Sequence, residues 1–324
     1  MCIAPKDLRM IRDQFIVEDK RSFDIVKTFY LNDINSSNIF QKIKSFPKVN
    51  RICPSYITIE LTNQSNQNHI ANPLNIKKNG DKTFLKISEF EKILSELKAF
   101  IGSGTIEIGV VAEPLLHPEI KQILELIEKY DNFSFLLKTN GVLLMKFLPV
   151  IASVKNLTLV IEIDAPKKGV YQDIHGSDDF ELVEENIEEA IKLCGNKLFL
   201  QITRFQKNEE YLEDFMSRWN VIKDQVIINK FNDYCQKLPD LKVVDLSPLH
   251  RFPCWKLQRE LHIHSNGMAS ICSQDIHEEY HLGDTQTENI KDLWEKADQI
   301  YASHWQRNYP NFCQKCDQWY VFGF

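Results

Sequence analysis

The sequence predicts an α/β fold, a parallel sheet with crossover helices followed by a small cysteine-rich C-terminal domain. Three observations predict it. Strand-like and helix-like segments alternate over most of the chain; polar residues and turn formers collect where the strands end; and four cysteines cluster after the alternation stops. Residues 1–50 are an irregular N-terminal extension, 51–245 the alternating domain and 246–324 the tail domain.

The first strand is Tyr56-Ile-Thr-Ile-Glu-Leu-Thr62, β-branched and aromatic as strands prefer. Ser88 caps a helix whose apolar positions Phe90, Ile93, Leu94 and Leu97 recur at helical spacing. Thr105 to Val111 is the second strand, and Pro118 opens a helix with Ile120, Ile123, Leu124 and Ile127 on one face. Phe133 to Leu137, Asn156 to Asp164, Leu198 to Ile202 and Val226 to Ile228 continue the strands. Between them lie a short helix after Gly141, an amphipathic one through Phe180, Val183, Ile187, Ala190 and Ile191, and another from Leu212 to Trp219. An open barrel and a doubly wound sheet both fit this count. In either, the ligand site sits at the C-terminal strand ends, where Glu113, Thr139, Asn140, Gly141, Asp164 and Arg204 fall. In the tail, Glu260 to His264 and Met268 to Cys272 flank the hairpin signal Asn266-Gly267, and a helix runs from Asn289 to Ser303.

Of the 324 residues 43% are hydrophobic and 26% charged, an ordinary globular composition. The formal charge of −6 and the lack of a Lys/Arg stripe argue against nucleic acid. No apolar run is long enough to span a bilayer, and the first residues lack a signal core. The expected setting is cytoplasmic, where thiols stay reduced and spaced cysteines mean metal or catalysis.

Cys254, Cys272, Cys313 and Cys316 are spaced C-x17-C-x40-C-x2-C. Four thiolates suit a [4Fe-4S] cluster or a tetrahedral zinc, and the spacing leaves both open. Cys194 falls on the apolar face of its helix, and Cys2, Cys53 and Cys235 are isolated, so these four are expected to be structural. His262 and His264 share one face of a short strand, where they could approach a metal but are read as exposed strand histidines, while Trp294, Trp305, Trp319 and Tyr320 are expected to pack the tail against the main domain.

The tail resembles a SPASM or twitch domain of the radical S-adenosylmethionine (radical SAM) family. Cys254-x12-Gly267-x4-Cys272, Cys313-x2-Cys316, Leu282-Gly-Asp284 and Asn289-Ile-Lys-Asp-Leu-Trp294 carry that likeness. In the main domain, Glu113-Pro-Leu-Leu-His-Pro118 and Thr139-Asn-Gly141 are similar to family landmarks. So is the run Ile163-Asp-Ala165, Tyr171, Ile174-His-Gly176, Phe180 and Asn186-Ile187. The resemblance covers about residues 52–324 and implies a partial (β/α)6 TIM-like barrel with a SAM pocket near Glu113.

The departures are as specific as the matches. Ser65, His69 and Asn72 stand where the family's Cys-x3-Cys-x2-Cys cluster motif belongs, Ala112 replaces a glycine before Glu113, and Glu162 replaces a serine. A hydroxyl and an amide are poor ligands for iron. The expectation is a degenerate member that keeps one auxiliary [4Fe-4S] cluster and has lost the cluster that cleaves SAM. It would then serve in binding, as a scaffold or in electron transfer, with a peptide, protein or small-molecule partner, linked to peptide, protein or carbohydrate modification. The alternatives are non-radical chemistry in the inherited pocket, with SAM or a nucleotide bound and Glu113 or Asp164 as acid or base, and a zinc-stapled structural protein.

Overall fold

The computed structural model describes residues 16–76 and 81–321. Nine strands form one sheet: β1 Tyr56–Ile59, β2 Gly104–Ile108, β3 Phe133–Thr139, β4 Leu157–Glu162, β5 Leu198–Arg204, β6 Val226–Lys230, β7 Glu260–Ile263, β8 Met268–Ser270 and β9 His281–Asp284. Their order is β6-β5-β4-β3-β2-β1-β7-β8-β9. The six expected barrel strands are all present and all parallel, each stepping one place along the sheet. Such single steps in one direction come from crossover helices laid on one face, the arrangement of a barrel wall rather than of a doubly wound sheet.

The tail joins this sheet. Strand β7 pairs with β1 in parallel, Tyr56 opposite Glu260 and Ile59 opposite Ile263, and β8 and β9 follow antiparallel. Asn266-Gly267 makes the expected turn between β7 and β8, with Gly267 at φ 83°. The sheet therefore runs unbroken across the expected tail boundary at 245/246.

Helix Ile87–Ile101 buries Phe90, Ile93, Leu94 and Leu97 as its periodicity predicts. Its cap is Lys86 rather than Ser88, and no side chain caps it. The tail helix expected over 289–303 is two helices, Ile290–Lys296 and Asp298–Trp305, meeting at Ala297. Strands β1 and β2 stop earlier than expected, because Glu60 to Thr62 and Gly109 to Val111 leave the sheet to build loops at its C-terminal rim. Elements not expected include helix Lys20–Leu31, closed by a capping box between Asp19 and Ser22, helix Lys168–His175, and β9. Strand β9 carries Gly283 at φ 143° and takes its strand form from pairing with β8, not from propensity.

Helices and tail are locked together through Arg51. This residue is 1% exposed, and its guanidinium lies 3.6 Å over the Trp294 ring. It donates to the Leu257 and Trp294 carbonyls at 2.9 Å each and to Asp298 Oδ1 at 2.5 Å. Trp294 thus packs tail against barrel, as expected. On the next face Glu89 accepts from Thr285 Oγ1 at 3.0 Å, and Glu96 accepts the Ile290 N–H at 2.9 Å. Arg51→Ala would strand two buried carbonyls and a partly buried carboxylate. The expected loss is about 3 kcal/mol, read as a lowered urea midpoint, and a midpoint unchanged within error would show that the cation is not what fastens the tail.

Candidate functional site

A cavity of about 440 Å³ opens at the C-terminal strand ends and runs down into the barrel lumen. Its rim includes Ser65, His69, Asn72, Glu113, Thr139, Asn140 and Asp164. Three of the expected site residues meet directly. Glu113 accepts from Thr139 Oγ1 and from the Leu115 and Asn140 backbone N–H groups, all at 2.9–3.0 Å. Burial pushes its carboxyl up to about 7. Gly141 stands behind this rim at φ 80°, where an added Cβ would fall 3.1 Å from Ile161. Arg204 is elsewhere: it forms a two-point fork with Glu209 at 2.5 and 2.6 Å and does not line the cavity.

The loop after β1 is closed by its own hydrogen bonds. Ser65 Oγ donates to the Gln67 carbonyl at 3.0 Å and accepts the Gln67 N–H. Asn72 donates from Nδ2 to the Val111 carbonyl at 3.0 Å and accepts the Leu74 N–H at 2.8 Å. His69 Nδ1 accepts the Ala71 N–H at 3.0 Å, which puts the ring proton on Nε2, 3.0 Å from Asp164 Oδ2. His175 packs edge-on against His69, and these two rings with Asp164 have their ligand atoms within 4.8 Å of one another. His175 donates from Nε2 to the Ile163 carbonyl at 2.9 Å, and burial depresses its pKa to about 3, so it is neutral. Gln67 links His175 to Tyr171, its Oε1 3.0 Å from His175 Nδ1 and its Nε2 donating to the Tyr171 hydroxyl at 2.6 Å. Each of His69, Asp164 and His175 has hydrogen-bond partners within the protein.

Below the rim the lumen is charged, a feature the sequence reading did not anticipate. Lys138 pairs with Glu107 at 2.8 Å, Lys256 with Glu260 at 2.7 Å, and Gln201 donates to Glu162 at 2.6 Å. Burial raises the pKa of Glu107, but Lys138 and the Tyr56 hydroxyl outweigh it and hold the group below its ordinary value. Glu60 accepts the Val111 N–H at 2.8 Å and the Ala112 N–H, and burial pushes its carboxyl up to about 8. It thereby fixes the loop after β2, which starts from Gly109 at φ 85°. A Cβ at Gly109 would sit 2.6 Å from the Lys138 carbonyl oxygen. The available signal was a lone charge among apolar strand neighbours: Glu107 between Ile106 and Ile108, Lys138 after Phe135-Leu-Leu137.

The tail thiols come together beside this lumen. Cys254, Cys272 and Cys313 are buried and Cys316 half-buried, and burial with mutual repulsion raises the first three, Cys254 to about 11. Two backbone N–H groups point at sulfurs, Gln274 to Cys272 at 3.3 Å and Gln318 to Cys316 at 3.2 Å. Lys256, Ser273, Gln274 and Gln318 line the cavity, so the thiol cluster and the cavity share a wall. Cys53 and Cys194 are buried, as expected of structural cysteines, and Cys2 lies outside the described residues. Cys235 is buried as well, and Cys316 together with burial pushes its thiol up. His262 and His264 are buried rather than exposed, bonded to Thr58 and Ser270 at 2.7 and 2.8 Å.

Comparison with known proteins agrees with this anatomy. The model of the radical SAM superfamily matches residues 53–218, and that of the SPASM iron-sulfur cluster-binding domain matches residues 254–317. The chain belongs to the radical SAM superfamily and carries a SPASM domain at its C-terminal end. It is 28% identical over 338 residues to an "uncharacterized protein" of Treponema pallidum (strain Nichols), covering 99% of this chain and 94% of that one. A GTP 3',8-cyclase of Alkaliphilus oremlandii (strain OhILAs) is 25% identical over 42% of this chain and 43% of its own. Among solved structures, Streptococcus suis SuiB bound to precursor peptide SuiA superposes at TM-score 0.66, with 14% identity, over 95% of this chain and 78% of that one. BtrN in complex with AdoMet and 2-DOIA superposes at 0.55, with 15% identity, over 83% and 92%. These likenesses show the shared fold.

The Glu60 carboxyl carries a pH signature. Between its ordinary pKa of 4.5 and its folded value of about 8, the folded chain keeps a proton that the unfolded chain has released, so stability falls as pH rises through that window. Glu60→Gln removes this loss. Its gain in urea midpoint over the wild type should grow steadily from pH 5 to pH 8, by at most about 1.4 kcal/mol per pH unit. A pH-independent difference would show that Glu60 is ionised in the fold.

Proposed function

We propose that this chain is a degenerate radical SAM protein that holds one auxiliary [4Fe-4S] cluster in its tail and does not build the cluster that cleaves SAM. The observation that carries this reading is the loop after β1. Ser65, His69 and Asn72, at the spacing of the cluster motif, spend their side chains on hydrogen bonds within the protein. Hydroxyl and amide oxygens do not replace soft thiolates on iron, and one imidazole does not hold a cubane. Cys254, Cys272, Cys313 and Cys316 fit the tail cluster. They form a largely buried group of thiols whose deprotonation needs a bound cation, with backbone N–H groups directed at two of the sulfurs. Zinc is the weaker fit because the tail matches an iron-sulfur cluster-binding domain. Reduced thiols kept for a metal suit a cytoplasmic setting.

When bound, such a cluster supplies one-electron chemistry or a structural staple. The protein's own part is to hold it against a charged, water-accessible lumen whose rim Glu113 and Glu60 stiffen. Glu113 has both oxygens engaged by neighbours, which makes it a brace of the rim rather than an acid or base. This favours a binding, scaffold or electron-transfer role over non-radical chemistry in the inherited pocket. The likeness to a structure containing a precursor peptide supports a peptide or protein partner.

Anaerobic purification with iron and sulfide analysis tests the reading. About four irons and four sulfides per chain are expected, lost in Cys272→Ala, and no 5'-deoxyadenosine should form with SAM and dithionite. Twice that iron, or 5'-deoxyadenosine above background, would sink it; zinc without iron would establish the stapled alternative.

A further inference from the structure

The turn from Cys313 to Cys316 is gripped by a cation that arrives from outside the matched tail domain. Arg251 lies three residues before Cys254, ahead of the matched residues 254–317. In the fold its guanidinium donates to the Cys313 carbonyl at 2.7 Å and to the Gln314 carbonyl at 3.4 Å. The Cys313 carbonyl also accepts the Cys316 N–H at 3.2 Å, so the oxygen that closes the turn is the one the cation holds. The guanidinium lies 4.3 Å from the Tyr309 ring centroid and 5.5 Å from that of Trp319, two aromatic faces that keep the fork in place. Trp319 in turn accepts the Trp255 N–H at its carbonyl at 3.0 Å and packs edge-on against Phe252. The segment carrying Cys254 and the turn carrying Cys313 and Cys316 are thereby fastened side by side, with His304 Nδ1 accepting the Cys254 N–H at 3.3 Å.

Among the described residues Arg251 is in no ion pair, and Asp317, next to Cys316, is taken by Lys230 at 2.6 Å and by Lys242 at 3.7 Å. The guanidinium charge is therefore left to the thiol group. We propose that Arg251 is a positioning residue of the tail cluster: by gripping the Cys313–Cys316 turn it sets a fixed cation beside the ligating cysteines and favours the reduced cluster. The inference rests on the iron–sulfur reading above. Reduction adds one negative charge to the cluster, and a cation held nearby stabilises that charge and raises the potential. The turn keeps its own bond from the Cys316 N–H without Arg251, so the effect is a shift of potential, not a condition for assembly.

Full-length wild type, Arg251→Gln and Arg251→Lys, purified without oxygen, test this by iron content and an EPR-monitored redox titration. Expected are equal iron in all three and a midpoint displaced to more negative potential in Arg251→Gln, which keeps a donor but no charge. Arg251→Lys, which keeps the charge, should titrate close to the wild type. Should Arg251→Gln fail to fold, Arg251→Lys decides: a wild-type midpoint supports the assignment and a displaced one overturns it. Iron lost from both variants would overturn it by making Arg251 a condition for assembly. A midpoint unmoved in Arg251→Gln, or displaced equally in both variants, would overturn it by leaving only packing. A wild type without iron would fail earlier and take the cluster reading with it, so the two failures are told apart.

Discussion

The parallel pairing of β7 with β1 is the constraint on which the site depends. It welds the tail to the first barrel strand through a register that leaves no freedom to slide, since a one-residue slip would turn every side chain of β7 to the other face. The chain between β6 and β7 must therefore travel from one edge of the parallel sheet to the far side of β1. On that journey it passes the open side of the barrel. Lys230, at the end of β6, meets Asp317 of the tail at 2.6 Å across that side. The four tail thiols come to share a wall with the cavity as a consequence.

The same pairing explains the charge in the lumen. Strand residues alternate faces, so Tyr56 and Thr58 of β1 and Glu260 and His262 of β7 sit side by side across the pair. Buried charges survive only when matched, and here Glu107 with Lys138 and Glu260 with Lys256 meet that condition. Glu60 is held by backbone N–H groups, with no cation paired to it among the described residues, and burial outweighs those bonds, so its carboxyl holds a proton to higher pH. A lumen built this way suits a polar occupant, and its wall carries that polarity to the edge of the thiol centre.

Much of the fold was legible because it is written in local patterns. The helix through Phe90, Ile93, Leu94 and Leu97 and the turn at Asn266-Gly267 follow from periodicity and turn chemistry alone. The rim trio of Glu113, Thr139 and Asn140 was legible through strand-end position, and its three partners do meet. Arg204 was misplaced by the same logic: a strand end specifies height on the sheet, not the direction of a long side chain, and Glu209 five residues on captured it. Ser88 failed as a cap because the helix starts one residue before it.

The sequence by itself determined the strand–helix alternation, the spacing of Cys254, Cys272, Cys313 and Cys316, and the presence of Ser65, His69 and Asn72 after the first strand. These are properties of residue type and interval, so no third dimension is needed to see them. Only the tertiary structure decided that the tail continues the barrel's sheet, that His69 meets Asp164 and that Asn72 meets the Val111 carbonyl. These are contacts between segments distant in sequence, Tyr56 with Glu260, His69 with Asp164 and Asn72 with Val111, and periodicity carries no record of them.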